Sequence, residues 1–403
     1  MGGFTPVPRT DPTVHTGVRD TYNVGSRIVD DVFPEVLMRD PNAAPLTVIT
    51  SLLRKTRTVS HYKFDVFEKD LLPRRIVIAA AVTSGATSIT ASTGQGARAA
   101  VNYVFMNTRT REHVLVTAVS TDTLTVTRGI GGVQDAMDAG DVLDFQRPVF
   151  VDGASKGTYK STKEDTQYNY CEIIRTGFGF TRRDAHTAQH GGKDPAMERK
   201  AQGVEHAISI EKSGMFGRRH SLVDATSGRL QTFAGGLEFF IKSNVWDLNN
   251  TTPTLGMIYE FLETAMTYGD SGNRQGNGSK YLLASPRWLS LFVALIDNQI
   301  RYVNPQTREG VRIGLKIGVI DSPHGELKII RHPLLVGDHA DMAFMLDLNH
   351  VRKVVFEGGD TKLLRDREDP SVDGSEEEYL SDIGWQIDLE DAHGIWRGLP
   401  LAS

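Results

Sequence analysis

Apolar and polar positions change period several times along this chain, and each change marks a different kind of element. Over the first sixty residues, short apolar stretches such as "IVDDVF" and "LTVITSLL" are separated by Pro6, Pro8, Pro12, Pro34, Pro41 and Pro45. Proline removes a backbone donor and restricts its predecessor, so this stretch reads as an extended arm over residues 1–60. In "HYKFDVFEKDL" the apolar Tyr62, Phe64 and Val66 alternate with Lys63 and Asp65, which is the period of a strand. A second alternating stretch, residues 166–182, follows a hundred residues later, and the two are expected to pair as one long ribbon over 61–75 and 148–185. Between them, at 76–147, short β-branched runs punctuated by turn residues predict a separate small all-β module.

The period then becomes helical. Asp194 is an N-cap residue and Pro195 suits the first turn; Met197, Ala201, Val204, Ile208 and Met215 follow on one stripe. This predicts a helix of about five turns with that stripe buried and Glu198, Arg199, Lys200, Glu205, Glu211 and Lys212 facing outward. Further on, Thr252-Pro253 and Ser285-Pro286 open two helices with broad apolar stripes, the first through Leu255, Ile258, Phe261, Leu262, Ala265 and Met266. The second carries Trp288, Leu289, Phe292, Leu295 and Ile296. Runs such as "KYLLA", "GELKIIRHPLLV", "AFMLDLNHVRKVVF" and "GWQIDLEDAHGIWRG" read as strands, so the fold class is α+β.

Composition narrows the function classes. With 403 residues the chain exceeds the ~250–300 at which single cores stop growing, so several domains are expected. A net charge of −5 supplies no protein-wide field for nucleic acid, and the paired arginines Arg182-Arg183 and Arg218-Arg219 read as solvated surface. Cys171 is the single cysteine, which excludes an intrachain disulfide and a cysteine-based zinc site. The longest apolar runs fall short of the ~20 residues that cross a bilayer, and no signal pattern opens the chain, so a soluble protein made inside the cell is expected.

Several motifs match catalytic patterns formally. Gly94, Gly96 and Ala99 have the spacing of a dinucleotide-binding loop, and Asp122 lies near the place of its acidic partner. The flanking pattern is a β-hairpin, however, and a parallel βαβ unit is required. "GASKG" at 153–157 matches a nucleophile elbow around Ser155, yet no apolar helical stripe follows it. "GNGSK" at 276–280 ends at a strand instead of opening a helix as a phosphate loop does. His186 and His190 are four apart in a glycine-containing stretch ahead of the helix cap, so a shared metal-binding face is not expected. The acidic run at 366–378 lacks the spacing of a calcium loop and reads as a solvated loop. The expectation is therefore no catalytic residue, no cofactor-binding residue, no metal ligand and no cofactor; a hydrolase through Ser155 or a dinucleotide enzyme through Gly94 and Gly96 is the alternative, along with another kind of structural protein suggested by the β module taken alone.

The order of elements, with "APLTVITSLLRKTRTVSHYKFDVFEKDLLP", "STDTLTVTRGIGG", "NYCEIIRTGFGFTRRDAH", "GKDPAMERKAQGVEHAISIEKSGMFGRR" and "KYLLASPRWLSLF", resembles the major capsid proteins of tailed bacteriophages, in the branch with a β-module inserted in the extended loop. The likeness spans about residues 44–396. It implies a Hong Kong 97-type fold with an N-arm at 1–60, extended loop at 61–75 and 148–185, and inserted domain at 76–147. A peripheral domain with the spine helix would occupy 186–220, an axial domain 221–340, and returning peripheral strands 341–403. The implied function is the icosahedral shell of a double-stranded DNA virion, assembled in the bacterial cytoplasm from hexamers and pentamers of this chain. Scaffold, portal and decoration proteins are implied partners, packaged DNA is contacted non-specifically, and no membrane is involved. No charged helical prefix is seen, which implies a separate scaffold or none.

Overall fold

The structure of the protein is a computed structural model, which describes residues 44–158, 160–187, 194–266, 278–295, 300–302, 317–322, 325–371 and 373–400. The arm expected before residue 44 lies outside them. The chain divides into two compact units, Lys63–Tyr168 and the remainder, which consists of everything up to Tyr62 together with Asn169 onward.

In the larger unit the chain begins with helix α1 (Pro45–Leu52) and strand β1 (Thr56–Val59). The smaller unit follows with β2 (Lys63–Glu68), β3 (Arg75–Val77), β4 (Ser88–Thr90), β5 (Tyr103–Asn107), β6 (His113–Ser120), β7 (Thr123–Ile130), β8 (Val142–Pro148) and β9 (Asp165–Tyr170), the last running across the boundary. Back in the larger unit come β10 (Glu172–Thr181), α2 (Arg182–His186), α3 (Asp194–Phe216), the hairpin β11 (His220–Val223) and β12 (Leu230–Phe233), α4 (Leu237–Phe240) and β13 (Val245–Asp247). Then follow α5 (Leu255–Met266), β14 (Ser279–Ala284), α6 (Pro286–Leu295), β15 (Ile300–Tyr302), β16 (Ile317–Ser322) and β17 (Gly325–Arg331). The chain closes with β18 (Ala343–Leu346), β19 (Val351–Phe356), β20 (Lys362–Leu364), β21 (Gly374–Ile387) and β22 (Gly394–Arg397).

The smaller unit is a six-stranded antiparallel sheet in the order β3-β8-β5-β6-β7-β4, beside the two-stranded ribbon β2-β9. Its core collects the inward residues of every strand, among them Ile76, Ile89, Phe105, Val114, Val116, Leu124 and Leu143. A buried ion pair pins the loop after β7: Arg128 bridges both carboxylate oxygens of Glu112 and donates to the carbonyls of Thr83 and Asp135. Four of the five guanidinium protons are donated, and Glu112 also accepts Gly129 N–H and Asp135 N–H, so the pair is well satisfied, which is the condition for tolerating charge away from water.

Among the described residues the larger unit holds two large sheets besides the two-stranded β11-β12. One runs β1-β19-β21-β10 with β20 also on β21; the other is the mixed, seven-stranded β13-β22-β18-β14-β17-β16-β15. The stretch read as one strand, 343–356, is two, and they belong to different sheets: β18 joins the seven-stranded sheet and β19 the other, with the turn between them closed by His350 N–H on the Asp347 carbonyl. Helices α5 and α6 bury the stripes expected of them against the seven-stranded sheet, through Ile258, Leu262, Ala265, Met266, Trp288 and Phe292; Ile296 lies outside the described residues. Ser285 Oγ accepts the Trp288 N–H and so caps α6 as its Ser-Pro start predicts.

Three expectations need correction. The ribbon is shorter than read: β2 pairs β9, but β10 pairs β21, some two hundred residues downstream. Residues 44–60 are not an extended arm, because α1 buries Leu46 and Ile49 and β1 lies parallel to β19. The third concerns α3. Its surface against β21 is Arg199, Gly203, His206, Ile210 and Gly214; of the expected stripe Met215 is fully buried in the core, whereas Met197, Ala201, Val204 and Ile208 are only half-buried. The contact is mixed in polarity: Arg199 clamps Glu377 with two bonds of 2.6 Å, the His206 ring lies between Thr176 and Ser381, and a Cβ on Gly214 would sit 2.6 Å from the Trp385 ring.

Candidate functional site

The glycine loop is built, and its anion is internal. Gly94 N–H and Gly96 N–H donate to the two oxygens of the Asp122 carboxylate, both at 2.9 Å, and these bonds hold that carboxyl below its ordinary value. A Cβ on Gly96 would lie 2.0 Å from the Thr121 carbonyl, so the glycine serves close packing of the loop on the β6–β7 turn. Thr121 itself has a positive φ of 51°, the left-handed turn that joins these two strands. The donors that a pyrophosphate would need are therefore taken, and a short 3₁₀ turn, Gly96–Arg98, stands where a crossover helix would begin.

Ser155 lies exposed in an irregular stretch with no helix after it, so the strained strand-to-helix elbow is not formed. Within "GNGSK", Gly278 leads directly into β14, which takes in Ser279 and Lys280, while Gly276 and Asn277, like His190, lie outside the described residues. His186 ends the short α2. Among the described residues no group of three or more His, Cys, Asp or Glu side chains is placed to hold a metal ion. The acidic run is only partly a loop: from Gly374 it is strand β21, and Glu377 is buried against Arg199. Cys171 is buried, and burial pushes its thiol up to about 12, which leaves little thiolate for chemistry.

Buried polar groups elsewhere hold elements together. Lys280 on β14, fully covered, donates to the carbonyls of Ala265 at the end of α5 and of Ala392, and burial lowers its ammonium to about 8. His393 accepts Asp347 N–H at Nδ1 and donates from Nε2 to the Asp388 carbonyl, and burial lowers it to about 3. Glu211, assigned to the outer face of α3 by pattern, is completely buried. Its Oε1 accepts Leu46 N–H at 2.6 Å and His332 Nε2 at 2.8 Å, and its Oε2 accepts Thr47 N–H at 2.8 Å and Thr47 Oγ1 at 2.6 Å.

The exposed surface carries a different signal. In the smaller unit Phe67, Leu71 and Val151 are 71, 74 and 80% exposed, and Val101, Val149 and Phe150 are also open. In the larger unit Ile173 on β10 is 64% exposed and borders a groove of about 540 Å³ with Leu230 and Phe233 of β12. Large apolar side chains gathered on ribbons and hairpins are the mark of surfaces that other protein covers. Phe67 falls on the polar phase of the alternation in "HYKFDVFEKDL", so the pattern alone does not point to this surface, nor to the groove, whose two strands are some fifty residues apart.

No curated protein matches the chain. Among solved structures, the capsid of a native GTA particle aligns at 8% identity over 94% of this chain and 97% of that one, with a TM-score of 0.49. A chain from Microbacterium phage Oxtober96 aligns at 8% identity over 94 and 98%, with a TM-score of 0.47. The encapsulin of the SrpI complex from Synechococcus elongatus PCC 7942 aligns at 8% over 95 and 96%, with a TM-score of 0.44. Residues 14–400 match the family described as SU10 major capsid protein, which is nearly the whole chain, and the protein therefore belongs to that family of virion shell proteins.

Proposed function

We propose that copies of this chain tile the icosahedral shell of a tailed, double-stranded DNA bacteriophage, with the ribbon and the segment before residue 44 overlapping adjacent subunits. In this reading the subunit has the Hong Kong 97-type plan: β2-β9 is the extended loop, the six-stranded sheet its insert, α3 the spine helix, and the seven-stranded sheet with α5 and α6 the axial part. The role is structural; Asp122 filling the glycine loop and the unformed elbow at Ser155 both argue against the enzymatic alternatives. Assembly takes place in the bacterial cytoplasm, scaffold, portal and decoration proteins are accessory partners, and a chain of net charge −5 encloses DNA without sequence-specific grip.

The carrying observation is the apolar surface on the ribbon and its continuation, Phe67 and Leu71, which a solitary subunit leaves in water. Negative-stain microscopy of purified protein tests it. The natural sequence should give closed shells, and the double variant Phe67→Asp, Leu71→Asp should give soluble subunits with unchanged circular dichroism. Normal shells from the double variant would refute the role given to the ribbon.

A further inference from the structure

Helix α1 is short, and its berth in the larger unit rests on few contacts. Leu46 and Ile49 are its large buried side chains, while Leu52 and Leu53 at its far end stand in solvent. Pro45 occupies the first helical position, so the first amides able to donate are those of Leu46 and Thr47. No side chain of the preceding residue caps them. The cap comes from α3: both oxygens of Glu211 are turned to these two amides and to the Thr47 hydroxyl. Leu334 N–H donates to His332 Nδ1, which places the ring proton on Nε2, and that proton is given to Glu211 Oε1. The carboxylate is thus held by four donors from α1 and from the turn after β17, with Glu211 and His332 both fully buried.

We propose that Glu211 is a latch that holds α1 as a strap across the larger unit, so that docking of this helix is an all-or-none event governed by one carboxylate. A helix N-terminus and a buried negative charge satisfy each other here, and neither is satisfied when they part. If α1 lifts, Glu211 keeps only the bond from His332 and the amides of Leu46 and Thr47 lose their acceptor. Intermediate positions are disfavoured because one carboxylate serves all three α1 donors together. Any consequence for shell geometry rests on the proposed function, whereas the latch itself can be tested on unassembled subunits.

Amide hydrogen exchange of the subunit, read by mass spectrometry, is the test. Glu211→Gln keeps the size of the side chain but replaces an acceptor with a donor facing α1. Exchange in residues 48–55, whose amides bond back into α1 and its exit turn, should rise by about tenfold or more, with α5 unchanged. Thr47→Val, which removes only the hydroxyl bond, should give a smaller rise confined to the same residues. Should Glu211→Gln fail to fold, Thr47→Val decides alone. Unchanged exchange in α1, or an equal rise in α1 and α5, overturns the latch. Loss of closed shells with normal α1 exchange would count against the latch and leave the capsid reading intact.

Discussion

At the scale of single residues, the chemistry of this protein is directed inward. Asp122 looks in sequence like the acid of a nucleotide site and in the fold closes its own glycine loop. Because those amides lower its folded value, the bonds contribute stability above the ordinary carboxylate range near ~4, and that contribution is lost as pH falls through the lower folded value. Asp122→Ala should lower the unfolding temperature of the smaller unit at pH 7, with the difference closing under strong acid; calorimetry at several pH values checks this. His393 acts in the same direction, over a window that begins at higher pH. Burial lowers it to about 3 from an ordinary ~6.5, so between those values the unfolded chain binds a proton that the fold refuses, and stability declines as pH drops through that window. His393→Gln should flatten the acid-side decline in urea midpoint, although it starts from lower stability because Asp347 N–H loses its acceptor.

At the scale of elements, α3 shows what pattern reading captures and what it misses. The length of α3 follows from its capped start and long helical period, but its buried face does not, since Arg199, His206 and Glu211 look like surface residues. His206 and Glu211 are buried and Arg199 is partly covered because alternate residues of β21 supply partners, Glu377 for Arg199 and Ser381 for His206, and because α1 supplies donors for Glu211. Ile210 lies within this face and the main core, so Ile210→Ala should cost about 2–5 kcal/mol in chemical denaturation. Val204→Asp, on the half-buried stripe, should cost the isolated subunit much less. Equal costs would show that the apolar stripe and not the mixed face binds the helix to the sheet.

At the scale of the whole molecule, the chain folds into two units with complete cores yet leaves apolar ribbon and hairpin residues in water. A subunit of a shell has that economy, since its last apolar surface is buried on assembly. The N-terminal boundary matters here. Removing residues 1–50 would strip most of α1 from the core, so the informative truncation is 1–43, which keeps Leu46, Ile49 and the Glu211 bonds. That truncation should leave a folded, soluble subunit and abolish closed shells, as read by circular dichroism and microscopy. Normal particles would remove the arm from the assembly reading.

The sequence by itself determined the local elements: the β-hairpin character of the insert, helix α5 and the Ser285-capped helix α6, the α+β class and the failure of the catalytic motifs to find their required surroundings. These depend on period, caps and turn residues, which act over a few positions. Only the tertiary structure decided which strands pair across two hundred residues, which charged side chains of α3 are buried, and that Asp122 and Glu211 each accept backbone amides from segments far along the chain. The reason is that a buried charge is stable only where the fold assembles its donors, and the spacing of residues along a chain carries no record of that meeting.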